Sequence, residues 1–118
     1  IRNGEPIEIW GDGKTVRDYI YIKDAVEALK LAAVTDSAEK IVNVGSGIGY
    51  SLLQVHEILE NCVGMPVPIA FKDVRRVDVP TNILDISLIE ALGWRTRIGL
   101  EEGIRMVWNK LCSSPRPG

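Results

Sequence analysis

From Asp24 to Val34, the residues Ala25, Val26, Ala28, Leu29, Leu31, Ala32 and Ala33 recur at helical spacing. On either side lie runs suited to a different geometry. Asp18–Ile22 (DYIYI) and Lys40–Val44 (KIVNV) are rich in β-branched and aromatic residues, which fit a pleated, half-buried surface. A strand–helix–strand alternation of this kind commits the chain to an α/β architecture. The same grammar recurs downstream. Ser51 is placed to cap a helix whose apolar stripe is Leu52, Val55, Ile58, Leu59 and Cys62, with Gly64 and Pro66 to stop it. Val67–Phe71 then reads as a strand. Upstream, Ile7–Trp10 is a short apolar run closed by the turn Gly11-Asp12-Gly13.

The C-terminal third is plainer. Arg75–Pro80 reads as loop, Asn82–Leu84 as extended, and Ser87–Leu92 as a brief helix ended by Gly93. Leu100–Leu111 is a final amphipathic helix, with Ile104, Val107, Trp108 and Leu111 expected inward. Residues 113–118 (SSPRPG) hold nothing that forms a core, so we expect a disordered tail after a domain spanning 4–112. The expected fold class is α/β, a small mixed domain.

Charge and composition remove several functions. Across 118 residues the net charge is −2, and the basic residues are scattered apart from Arg75-Arg76 and Arg95–Arg97, so nucleic acid is not an expected partner. No apolar run is long enough to span a bilayer, and no signal peptide opens the chain, so a membrane is not an expected partner either. Cys62 and Cys112 form no metal or redox spacing and suggest a reducing, cytoplasmic setting. His56, the one histidine, sits beside Glu57 and near Gln54 in a predicted helix, where an exposed polar position is expected. One His and two distant Cys assemble neither a metal site nor a nucleophilic triad. The chain starts at Ile1 and runs straight into a strand-like segment, which reads as part of a larger protein.

Three features bear on chemistry. Gly45-Ser46-Gly47-Ile48-Gly49, between a strand and a helix, invites a phosphate-loop reading. Its third glycine comes one residue too early for a dinucleotide fingerprint, which leaves a flexible turn or the lining of a nucleotide cleft. Arg17 precedes DYIYI, and Arg75 lies three residues before Asp78 in a polar loop. Guanidinium groups donate paired hydrogen bonds in a fixed plane, which suits phosphate oxygens. If the two segments converge, the arginines clamp a diphosphate and Asp78 accepts from a hydroxyl; the alternative is surface ion pairs with Asp18 and Asp78.

These residues sit in an ordered string. Ile9-Trp10-Gly11-Asp12-Gly13, Val16-Arg17-Asp18-Tyr19-Ile20-Tyr21-Ile22 and Asp24-Ala25 come first. Asn43-Val44-Gly45-Ser46-Gly47 with Ser51-Leu52, Arg75-Arg76-Val77-Asp78, Asp85-Ile86-Ser87, Leu92-Gly93-Trp94 and Leu100–Ile104 follow. The string resembles the C-terminal portion of the extended short-chain dehydrogenases that act as NAD-dependent sugar-nucleotide epimerases, dehydratases and decarboxylases. The resemblance implies a substrate-binding domain whose N-terminal Rossmann domain is absent from this chain. By position it assigns Arg17 and Arg75 to the substrate diphosphate, Asp78 to the ribose and Trp10 to the base. Asn82 falls where some epimerases carry a bulky Tyr beside the sugar 2-position, so the smaller side chain would leave room for an N-acetyl group. The implied ligand is a nucleotide-diphosphate sugar, UDP-glucose or UDP-galactose above all. The implied cofactor is NAD, held by the full-length enzyme, which the resemblance makes a homodimer.

The departures are as informative. Tyr21 stands where the family usually has His. The family's catalytic Tyr-x-x-x-Lys has one superficial match, Tyr19 with Lys23, but in a strand those positions lie about 13 Å apart rather than on one helix face. No NAD fingerprint is present, so the chain alone is expected to be inactive. The resemblance also has Lys40–Val44 joining the sheet of the cofactor domain, so an unpaired edge and self-association are expected here. Epimerisation, dehydration and decarboxylation stay open, as do a non-catalytic nucleotide-sugar module and a purely structural domain that shares the fold.

Overall fold

The computed structural model describes residues 4–36, 41–74 and 79–113. Among them the order is β1 (Ile7–Trp10), β2 (Val16–Asp18), α1 (Ile22–Val34), β3 (Gly49–Ser51), α2 (Leu52–Val63), β4 (Ile69–Lys72), β5 (Thr81–Asn82), α3 (Ser87–Ala91) and α4 (Leu100–Ser113). The α/β expectation holds. The strands form two small sheets: β1 runs parallel to β4, and β2 lies between antiparallel β3 and parallel β5.

Local chemistry explains the helix ends. Ser51 Oγ accepts from the Gln54 amide at 3.2 Å while Gln54 Oε1 accepts from the Ser51 amide at 2.8 Å, a reciprocal cap at the expected residue. Gly64 stops α2 with φ 74°, the left-handed geometry a side chain would resist. The Gly11–Gly13 turn serves the same helix, because the carbonyls of Gly13 and Thr15 accept from the Leu53 and Leu52 amides at 3.1 and 3.2 Å. All five stripe residues of α2 are half-buried, and the helix packs on α4.

The main core joins α1 to the segment around α3. Ala28, Ile89 and Trp94 are buried together, with Ile20, Leu31, Val42, Val44 and Ile86 against them. Asp24 fastens this junction from inside. It is 4% exposed, and its Oδ2 accepts from the Arg97 and Ile98 amides at 3.0 and 2.9 Å. Its backbone carbonyl accepts from Trp94 Nε1 at 3.2 Å.

Several expectations need correction. DYIYI is not a strand. The strand lies earlier, at Val16–Asp18, because the ladder to β3 ends at Asp18↔Gly49; α1 then starts at Ile22, with Ala25 N donating to the Tyr21 carbonyl. Lys40 lies outside the described residues, and 41–44 form no strand. Val42 and Val44 turn inward while Ile41 and Asn43 face out, so the alternation of a strand is present without a described partner to complete a ladder. His56 is not an exposed polar residue. Its side chain is 14% exposed, and Nε2 donates to the Val67 carbonyl at 2.6 Å, while Glu60 Oε1 accepts from the Val67 amide at 2.8 Å. The pair ties α2 to the approach to β4. In α4, Val107 and Leu111 are exposed rather than inward, and the helix extends through Ser113. Residues 114–118 of the expected tail are outside the described residues.

Candidate nucleotide-binding site

β2 is three residues long, and successive residues of a strand point to opposite faces. Arg17 therefore faces one side, and Val16 and Asp18 face the other. Arg17 is the register partner of Tyr50 on β3 and of Asn82 on β5, so Tyr50, Arg17 and Asn82 form a row across one face of the three-stranded sheet. Arg17 Nη1 donates to the Val16 carbonyl at 2.8 Å and to the Val79 carbonyl at 2.7 Å. The Val16 amide donates to the Pro80 carbonyl at 2.8 Å. These bonds strap the segment entering β5 onto β2. The Nε and Nη2 donors of Arg17 engage no described residue, and among the described residues Arg17 forms no ion pair. A half-buried guanidinium whose Nε and Nη2 have no partner among the described residues is suited to a phosphate oxygen. Beside it, burial pushes the Tyr19 phenol above 10.0, an effect the Arg17 charge partly offsets.

The opposite face shows what the glycine-rich turn does. Asp18 Oδ1 accepts from the Ser46 amide at 2.7 Å and from Ser46 Oγ at 2.6 Å. Asp18 Oδ2 accepts from the Gly47 amide at 2.9 Å and from the Leu84 amide at 3.3 Å. The anion in this turn is the protein's own carboxylate. Glycine is required because a Cβ at Gly45 would lie 2.7 Å from Asp18 Oδ2, and one at Gly49 would overlap Ile83 and Val16. The first amides of α2 are also taken, by Thr15, Gly13 and Ser51. At both places that resemble a pyrophosphate cradle these amides are already bonded within the protein, which does not suit the diphosphate of NAD.

Of the five residues expected at the site, Arg17 and Asn82 are brought together as register partners. Trp10 ends β1 in the other sheet and is 39% exposed. Arg75 and Asp78 lie outside the described residues. The expected ion pair between Arg17 and Asp18 is absent because the two side chains leave opposite faces of β2. The Tyr19–Lys23 pair fails for a reason other than strand spacing: Tyr19 precedes α1, and Lys23 is its second residue, so no helix face carries both. Two residues escaped sequence reasoning. Asp18 was legible only through strand alternation, and Tyr50 only through the unexpected β3. Tyr50 also lines a shallow cavity of about 360 Å³ with Gly99, Leu100, Glu101, Glu102 and Arg105.

Residues 1–45 match the model of the "NAD dependent epimerase/dehydratase family". The chain is similar to a putative UDP-glucose 4-epimerase of Methanocaldococcus jannaschii, 33% identical over 116 residues, covering 98% of this chain and 37% of that protein. It is also similar to the dTDP-4-dehydro-6-deoxyglucose reductase of Escherichia coli, 37% identical over 117 residues, covering 98% of this chain and 36% of that one. Among solved structures, the UDP-glucose 4-epimerase of Thermotoga maritima with UDP-glucose superposes with a TM-score of 0.84 at 34% identity. That match takes in 94% of this chain and 37% of the other. The chain thus spans little more than a third of the proteins it resembles.

Proposed function

Because the chain belongs to the NAD-dependent epimerase/dehydratase family, we propose that it is the substrate-binding part of a longer sugar-nucleotide 4-epimerase, and that it holds the diphosphate of a UDP-sugar. The observation that carries this reading is the alignment of Arg17 with Asn82 across β2 and β5, with the guanidinium Nε and Nη2 unbonded to any described residue. Arg17 also grips Val79, the residue that follows Asp78 in sequence.

In this reading Arg17 and Arg75 share the diphosphate, Asp78 accepts from the ribose and Trp10 lies against the base. Asn82 borders the sugar and admits a 2-acetamido group. NAD supplies reversible oxidation at the sugar ring when bound to the rest of the protein. The role of this chain is to hold and orient the substrate, and alone it has no turnover. The whole enzyme is a cytoplasmic homodimer in this reading; the free thiols Cys62 and Cys112 suit a reducing compartment, and among the described residues no helix is long and apolar enough to cross a membrane.

Self-association of the isolated chain has a clearer physical source than a strand edge. Ile22, Val26 and Leu29 recur along one side of α1 and are 67%, 41% and 66% exposed, while Asp24 and Ala28 bury the other side. A helix that exposes an apolar stripe opposite its buried side favours a covering partner.

Calorimetric titration of UDP-glucose into the longer protein that carries this chain tests the proposal. Saturable binding with a dissociation constant between about 1 μM and 1 mM is expected, the range of ordinary substrate affinities. UDP-N-acetylglucosamine is expected within about tenfold of it, since a tolerated group changes binding by no more than about 1.4 kcal/mol. No heat with either ligand would overturn the assignment; a strict preference for the unacetylated sugar would overturn only the role of Asn82.

A further inference from the structure

We propose that Asp18, which cannot reach the ligand face, is a positioning residue that sets how well the site recognises the sugar end of its ligand. The inference rests on the nucleotide-sugar reading above. Residues 79–84 run alongside β2 and are gripped at two ends. At the first, the Arg17 guanidinium and the Val16 amide hold the carbonyls of Val79 and Pro80. At the second, Asp18 Oδ2 holds the Leu84 amide. Asn82 lies between the two grips, in register with Arg17.

The second grip is itself braced. The carboxylate that reaches Leu84 also gathers the Ser46 amide, the Ser46 hydroxyl and the Gly47 amide. Ile83 packs over the bare Cα of Gly49 and against Val16 on that same face. One carboxylate therefore fixes two loops against β2, and the register of Asn82 depends on both. Removing it leaves the Arg17 end of the segment in place and frees the Asn82 end. Diphosphate binding should survive while sugar recognition fades. A generally destabilising change would instead weaken both together.

The test compares UDP with UDP-glucose by calorimetry in the longer protein, for wild type, Asp18→Asn and Ser46→Ala. Asp18→Asn replaces one acceptor oxygen with a donor that faces amide hydrogens. The preference for UDP-glucose over UDP should fall about tenfold, with UDP affinity changed by less than about threefold, on the scale of one lost charge-assisted hydrogen bond. Ser46→Ala removes the hydroxyl bonds to Asp18 and to Ile48 while the Ser46 and Gly47 amides keep their bonds to the carboxylate, so the preference should fall by about threefold. It also serves if Asp18→Asn does not fold. An unchanged preference in Ser46→Ala overturns the proposal, as does an equal loss of UDP and UDP-glucose in either variant. If the wild-type protein binds UDP and UDP-glucose but the variants keep its preference, only the role of Asp18 fails. A wild-type protein that binds neither ligand overturns both readings.

Discussion

Arg17→Ala is expected to weaken UDP-glucose binding to the longer protein by about 100-fold or more, the largest effect of any single substitution at the site. Truncating one partner of a desolvated, hydrogen-bonded charge pair costs roughly 2–5 kcal/mol, partly because the remaining charge is left unpaired. Arg17 is half-buried, and its Nε and Nη2 donors, which engage no described residue, are lost together with the charge. The backbone consequence is smaller. The bond from Nη1 to the Val79 carbonyl disappears, but the Val16 amide still holds Pro80, so melting should shift by only a few degrees, on the scale of about 1 kcal/mol. Arg17→Lys should recover part of the affinity, because an ammonium keeps the charge and loses the planar fork. Calorimetry reads all of these. A loss of less than about tenfold in the alanine variant would place the diphosphate away from β2.

Asp24→Ala should be the most damaging substitution for stability, lowering it by about 3 kcal/mol or more. Two amides, those of Arg97 and Ile98, give their hydrogen bonds to one carboxylate that is 4% exposed. Bonds to charged groups contribute roughly 1.5–3 kcal/mol each, and a buried donor left without a partner forfeits its hydration as well. Domains of this size have about 5–15 kcal/mol in total, so the loss is a large share. Asp24→Asn keeps one acceptor oxygen and should lose about half as much. Because Trp94 donates to the Asp24 backbone carbonyl, its indole is a natural fluorescence reporter of the junction. A urea titration should show the midpoint of Asp24→Ala falling with an unchanged slope. An unmoved midpoint would mean that water replaces the carboxylate at the two amides.

How much of this was written in the sequence depends on the range of the interaction. The α2 cap at Ser51 and the stop at Gly64 rest on neighbours within a turn, and both were legible. So was β1, whose four apolar-alternating residues precede a glycine turn. DYIYI misled because β propensity describes a fit to cross-strand neighbours, and the ladder of β2 ends at Asp18. KIVNV misled differently: its alternation is real, but no described strand pairs with it. The fate of Gly45-Ser46-Gly47 was invisible for a related reason. A phosphate and a carboxylate ask the same thing of a glycine-rich turn, and only the fold reveals that Asp18, 28 and 29 residues away in sequence, gets there first. Arg17 was singled out from its chemistry beside a strand-like run and Asn82 from resemblance, yet their shared register is a property of the sheet. Arg75 and Asp78 fall outside the described residues, and their roles rest on residue chemistry and the resemblance.

A crystal structure of the longer protein with UDP-glucose tests the central claim most directly. The account predicts diphosphate oxygens within about 3 Å of the Arg17 Nε and Nη2 donors, on the face of β2 that carries Tyr50 and Asn82, with the Asp18 carboxylate still seated in the 45–47 turn. A diphosphate bound by the Ser46 and Gly47 amides, with Asp18 displaced and Arg17 remote, would contradict it.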